Sequence, residues 1–296
     1  MPPITLGLEF MSKINPRVDF AFKILFGSEE NTDILLPFIN SVLSLPNPLT
    51  ELTLLNPYNH KTHSTDKLSI LDIKARDGLG TLYNIEMQMT SQVGYSQRAL
   101  YYWSKLYSQQ LKAGEDFDQL NKTISIHILN FNHFDEPDYH NIYHVLNAKT
   151  QKRSFEDLEL HFVELKKFNK DLAHLTTALD RWTTFLSKAE QWERNFIPEE
   201  LKIDPAIAKA AHALDTLSLD EEEREIYEAK LKWLRDESGT LRKVREEGRE
   251  EGEVIGTEKV ALNLLKKGSW SIADISDATG LTKEALEILQ KRVQSS

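Results

Sequence analysis

Residues 67–90, KLSILDIKARDGLGTLYNIEMQMT, contain two runs rich in β-branched and aromatic side chains around a DGLG loop, the pattern of a β-hairpin. Strand alternation puts Ile70, Asp72 and Lys74 on one face and Leu71, Ile73 and Ala75 on the other. In the second run Asn84, Glu86 and Gln88 share a face, opposite Tyr83, Ile85, Met87 and Met89. With Gly78 to Gly80 as the loop, Asp77 pairs with Thr81 and Asp72 falls opposite Glu86. Facing carboxylates repel by roughly 0.2–1 kcal/mol when exposed, and by more where burial lowers the dielectric. A cation between them relieves that repulsion. Two carboxylates with waters and a phosphate oxygen are a common way to hold Mg2+, and such an ion assists phosphodiester hydrolysis. On spacing alone, an Asp and a Glu on a solvent-facing hairpin are the ordinary alternative.

Outward from the hairpin, the first half of the chain alternates helix and strand. Asn15-Pro16 predicts a helix from about Pro16 to Phe26, capped by Asn and stopped at Gly27. A second helix is expected over residues 31–43, ended by the LPNP turn. LTLLNPY, KTISIHILNF and LELHFVEL read as strands, with NIYHVL as a shorter one, and the spacing of residues 95–111 predicts a helix closing at Gly114. After Leu165 the pattern is helical: residues 172–194, 205–217 and a charged stretch over 220–248. GREEGEVIG reads as a fraying helix or linker. The final segment holds short helix patterns broken at Gly268 and Gly280. The expected fold class is α/β, a mixed central sheet flanked by helices with an α-helical C-terminal extension. Its parts would be a core at 11–170, a helical extension at 171–248, and a linker with a small helical module at 249–296.

Composition removes other classes. The chain has 296 residues, 40% hydrophobic and 28% charged, with 12 Gly and 10 Pro, the profile of a packed globular protein. It has no cysteine, so disulfides, thiolate nucleophiles and thiolate metal sites are excluded, and a cytoplasmic location is expected. No run reaches the roughly 18 apolar residues of a membrane span, and no exported leader is evident at the start, where Met11 could equally open the folded chain. The formal net charge is −10 and no segment is a basic arm, so nucleic acid would have to meet a local groove. No G-x-G-x-x-G, Walker loop, G-x-S-x-G or H-E-x-x-H occurs. His60 and His63 lie at metal-like spacing in a loop, without a second ligand pair.

Four blocks together, DFAFKILFG (19–27), LDIKARD (71–77), NIEMQ (84–88) and RALYYWSKLYSQQL (98–111), carry a resemblance. Asp, hairpin, then Glu-x-Gln is similar to the signature of PD-(D/E)XK nucleases, and closest to the recombination-promoting nuclease and transposase family, in which Gln replaces the usual Lys. The resemblance covers residues 14–165, with a weaker echo in the C-terminal helices. It implies a restriction-endonuclease-like core, Mg2+ or Mn2+ as cofactor, DNA as partner, and endonuclease activity linked to recombination or transposition. It implies Asp72 and Glu86 as metal ligands and Gln88 as the group orienting water or the scissile phosphate. Gln cannot transfer a proton as Lys does, which leaves the general base unassigned. Asp19 matches an acidic position of the first helix that stands near the metal in this family; an i,i+4 pair with Lys23 is the alternative. Arg98 and Tyr101, one turn apart, are candidate phosphate contacts, with packing and a surface charge as the alternative.

SIADISDATGLTKEALEIL reads like the central helices of a helix-turn-helix, with Gly280 at the turn and Thr282 as cap. Lys283, Gln290, Lys291 and Arg292 favour DNA, whereas Glu284 and Glu287 oppose phosphate approach, so packing or self-association of the helical C-terminal half into a homo-oligomer is the favoured reading. Two rival functions stay open: a nuclease fold that binds DNA without cutting, and an assembly protein.

Overall fold

A computed structural model describes residues 14–58, 72–217 and 219–294; Met11, His60, His63 and the first residues of the hairpin's leading run lie outside them. Asn15 turns the chain rather than capping a helix. Its carbonyl accepts from Val18 N at 3.2 Å and its side-chain oxygen from Arg17 N at 2.9 Å, so the first helix, α1 (Asp19–Gly27), begins three residues later than Pro16. This local side-chain turn competes with helix initiation, as Asn commonly does. Gly27 is the last helical residue and not a left-handed stop. A Cβ there would lie 2.9 Å from Lys23 Cδ, so glycine makes room for the lysine stem. Helix α2 (Thr32–Leu43) ends at Ser44, which adopts φ 48°.

Strand β1 (Leu52–Leu54) leads to the hairpin, β2 (Ile73–Asp77) and β3 (Leu82–Gln88). The loop is the expected one: Asp77 N donates to Thr81 O and Gly80 N to Asp77 O, both at 3.1 Å. The Asp77 carboxylate accepts from Leu79 N and Thr81 N at 2.9 Å. Gly80 at φ 91° takes a conformation that glycine adopts without steric penalty. Helix α3 (Tyr95–Ser108) crosses over to β4 (Thr123–Leu129), and β5 (His140–Leu146) and β6 (Arg153–Glu164) follow. The six-stranded sheet has the order β1-β2-β3-β4-β6-β5. It is mixed: β3–β4 and β4–β6 are parallel, the other pairs antiparallel.

Helices α4 (Ala178–Lys188), α5 (Glu199–Lys202) and α6 (Pro205–Thr216) complete the first layer. With α1 and α2 they cover one sheet face. Phe22, Phe26, Phe38, Trp182 and Phe185 pack there against Ile73, Ile85, Ile126 and Val163. The opposite face carries Leu129, Leu160 and Phe162 under Tyr95 and Ala99 of α3.

The chain divides into two compact units, residues 1–232 and 233–296. Helix α7 (Glu221–Lys267) runs through that boundary and contains GREEGEVIG without a break. Glu, Arg and Lys around the glycines are strong helix formers, which offsets the roughly 1 kcal/mol that each glycine costs. In the second unit, α8 (Ile272–Thr279) starts at a Ser271–Asp274 capping box and ends at Gly280, and α9 (Lys283–Gln294) follows. Their core is Ala261, Ile275, Leu286 and Leu289. No described helix is long and apolar enough to cross a membrane.

Candidate active site

The β2–β3 register, Ile73 with Ile85 and Lys74 with Asn84, places Asp72 opposite Glu86 one step before β2. Ile73, Ala75, Ile85 and Met87 point into the core, so Asp72, Glu86 and Gln88 share the sheet face that α3 covers. The face assignment and the pairing inferred from the hairpin therefore hold.

The two carboxylates have unequal surroundings. At Glu86, the Arg98 guanidinium donates to Oε1 at 2.7 Å, and His127 Nδ1 stands 3.5 Å from Oε2. Burial alone would raise Glu86, but His127 and Arg98 outweigh it and hold the carboxyl below its ordinary value. Asp72 has a looser partner, Lys74 Nζ at 3.8 Å. Burial raises it, the Glu86 charge pushes the same way, and Lys74 and Lys23 oppose. Asp72 is thus raised chiefly by its burial, with Glu86 adding a minor push, whereas His127 and Arg98 hold Glu86 down.

Gln88 accepts from Arg98 at 2.7 Å and donates to Thr90 O at 3.2 Å. Arg98 also bonds Gln92 and lies over the Tyr95 ring, 4.8 Å from its centroid. Tyr101 is exposed on the outer side of α3. Asp19 is occupied elsewhere: its carboxylate pairs with Lys230 at 2.7 Å and accepts from Phe20 N at 2.9 Å. Lys23 does not close an i,i+4 pair with it. Its Nζ donates to the carbonyls of Asn56 and Asp72, both at 2.8 Å.

Three residues of this neighbourhood escape sequence reasoning. His127 is fully buried on β4, in parallel register with Glu86. Its Nδ1 lies 3.0 Å from Tyr95 Oη and its ring stacks on Phe162 at 4.8 Å. A histidine alternating with apolar residues in ISIHIL was the available signal. Lys23 and Asn56 hold the start of β2. Asn56 donates to Asp72 O at 3.0 Å and accepts from Lys74 N at 2.7 Å, which sets the backbone that carries Asp72. Burial pulls Lys23 down to about 8, with Asp72 opposing and Lys74 reinforcing.

The donor set suits a hard divalent cation. Asp72 is a desolvated carboxylate loosely paired with Lys74, and Glu86 faces it already ionised; both offer oxygen, and one or two carboxylates suffice for Mg2+ when waters and phosphate complete the shell. Among the described residues no group of three or more acidic or histidine side chains converges as a metal cage. No curated protein matches the chain, and no solved structure does. The profile of PD-(D/E)XK nuclease family transposases, a group whose nucleases generally use divalent metals, matches residues 16–243, and the chain, with its mixed six-stranded sheet, belongs to that family.

Proposed function

We propose that the protein is a Mg2+- or Mn2+-dependent DNA endonuclease, serving recombination or transposition, in which Asp72 and Glu86 hold the cation. The observation that carries this reading is the juxtaposition of Asp72 with Glu86 and, two residues on, Gln88, on the face beneath α3. A bound cation would polarise a phosphoryl oxygen and acidify a coordinated water. The chain's own groups do the rest. Arg98 braces Glu86 and Gln88, and its planar fork can turn to a phosphate, a geometry guanidinium matches well. Gln88 orients by hydrogen bonding and transfers no proton. Asn56 and Lys23 fix the Asp72 backbone. Asp19 would have to release Lys230 to join the ligands.

A second reading keeps DNA binding and drops cleavage; the ion pair between Arg98 and Glu86, which neutralises one proposed ligand, favours it. Incubation of supercoiled plasmid with the full chain in Mg2+, Mn2+ or chelator separates the two. Nicking that needs the metal and disappears in Asp72→Asn supports the nuclease. Binding without nicking in any divalent ion overturns it in favour of the second reading. Self-association through the helical C-terminal half is part of the proposal, and a monomeric mass in solution would remove it.

A further inference from the structure

Helix α3 carries a face that the candidate site does not consume. Arg98, Tyr101, Tyr102 and Lys105 follow the i, i+3, i+4, i+7 spacing of one helical stripe, while Tyr95, Ala99 and Leu106 are buried along the flank that adjoins Tyr102. The inward aromatics are all tied down. Tyr95 meets His127, Trp103 Nε1 donates to Thr123 O at 2.7 Å, and Tyr107 Oη donates to Asp157 at 2.6 Å. Tyr101 and Tyr102 are 61% and 43% exposed. Among the described residues their rings meet each other, edge to face with centroids 5.6 Å apart.

Charge sets this face apart as well. In a chain of net charge −10, residues 87–114 contain no Asp or Glu and carry Arg98, Lys105 and Lys112. The stripe also begins at the site, since Arg98 bonds both Glu86 and Gln88. Basic side chains interleaved with exposed aromatic rings match the requirements of a nucleic-acid strand whose bases are unstacked, because ring faces can stack only on base faces that a duplex hides. Arg98 and Lys105 lie about 10 Å apart along the helix axis.

We infer that this face binds unpaired DNA, with Tyr101 and Tyr102 stacking on splayed bases while Arg98 and Lys105 meet phosphates and lead the strand toward Asp72 and Glu86. The inference rests on the proposed nuclease reading and names the strand state of its substrate.

Fluorescence anisotropy of the full chain in chelator, with a labelled thymidine oligonucleotide and a duplex of equal length at the same salt, tests it. Single strand binds tighter than duplex if the inference holds. Changing Tyr101 and Tyr102 to Ala weakens single-strand binding by roughly tenfold per ring, whereas changing both to Phe keeps it, because stacking needs the ring and not the hydroxyl. Lys105→Ala lowers the salt slope by about one. Duplex binding as tight as single-strand binding, or full single-strand affinity in the alanine pair, overturns the inference. Loss of self-association in place of DNA affinity overturns it too, by assigning the face to a protein contact. Plasmid nicking by the parent decides the nuclease reading separately, so either conclusion can fail without the other.

Discussion

Two carboxylate sites on one sheet, Asp72 with Glu86 on the hairpin and Glu159 on β6, differ in how completely their charge is met. Glu159 is saturated: Lys122 donates to it at 2.7 Å, Arg153 at 3.1 Å and His161 at 2.8 Å, and His144 stands 3.2 Å away. Burial pushes it up, yet His161 and Lys122 hold it far below the ordinary carboxylate range. Asp72 has Lys74 at 3.8 Å and is raised. A carboxylate met on all sides, as Glu159 is, contributes to the fold; Glu86, with Arg98 and His127, stands between it and Asp72. An under-compensated carboxylate weakens the apo fold slightly and is relieved when a cation arrives. The proposed function places its chemistry at the second kind of site and leaves the first to structure.

The sharpest way to break this contrast is activity. Asp72→Asn or Glu86→Gln is expected to reduce metal-dependent plasmid cleavage by more than about 100-fold, beyond the 10- to 100-fold that loss of a group supporting a metal ligand causes. Glu159→Gln is expected to act on stability. It leaves Lys122, Arg153 and His161 around a neutral amide. Removing one partner of a buried pair costs about 3–5 kcal/mol, and the partial exposure of Lys122 and Arg153 brings this toward about 2–3 kcal/mol. Thermal melts would show it as a loss of several degrees. Equal melting of Glu159→Gln and parent would mean that saturation has no structural value here.

How much of this was legible depended on range. The hairpin register followed from loop length and alternation, since Asp77, Gly80 and Thr81 are local partners, and it brought Asp72 to Glu86 correctly. His127 could not be placed beside Glu86, because the parallel β3–β4 register is set by the length and rotation of α3 and not by any local pattern. Arg98 was readable as a cation near the site, yet whether it faced a phosphate or Glu86 depended on that same rotation. Asp19 read as a metal candidate or a partner of Lys23; it pairs with Lys230, more than two hundred residues away in sequence. Asn15 misled in the other direction, its short-range turn delaying the helix that the Asn-Pro pair announces.

Acid titration sharpens the comparison with a smaller effect. Glu159 and Asp180 have depressed values in the fold, so their contribution is present above the unfolded carboxylate range and is lost progressively as pH falls from that range through their lower folded values. His140 is lowered by burial and by neighbouring His161 to about 4. Its neutral form, 3.0 Å from His161, is therefore favoured in the fold, and stability is lost between about 6.5 and about 4 as the unfolded chain takes up a proton first. Asp72 runs the opposite way: its raised value means that its protonated form is the better tolerated, so it opposes these losses on acidification. Melting temperature against pH should fall below 6.5 in the parent and fall less steeply there in His140→Asn; identical slopes would show that His140 is not held neutral.

The smallest expected effect is the one that separates the two kinds of carboxylate most directly. In chelator, Asp72→Asn removes a desolvated charge that faces Glu86, and among the described residues the ion pair it gives up is the loose one with Lys74. Its melting temperature should equal the parent's or exceed it slightly, by less than about 1 kcal/mol of stability. In Mg2+ the order should reverse, because a parent that binds the ion gains RT ln(1 + [L]/Kd), about 1.4 kcal/mol at ten times Kd, and the variant does not. That gain is a few degrees for a unit of this size. Glu159→Gln, by contrast, should melt lower than the parent in chelator and keep the parent's full gain from Mg2+, since its carboxylate has no place for the ion. A parent that gains no stability from any divalent ion, combined with an Asp72→Asn variant that melts lower in chelator, would put Asp72 in the same structural class as Glu159 and leave the hairpin without a metal-binding role.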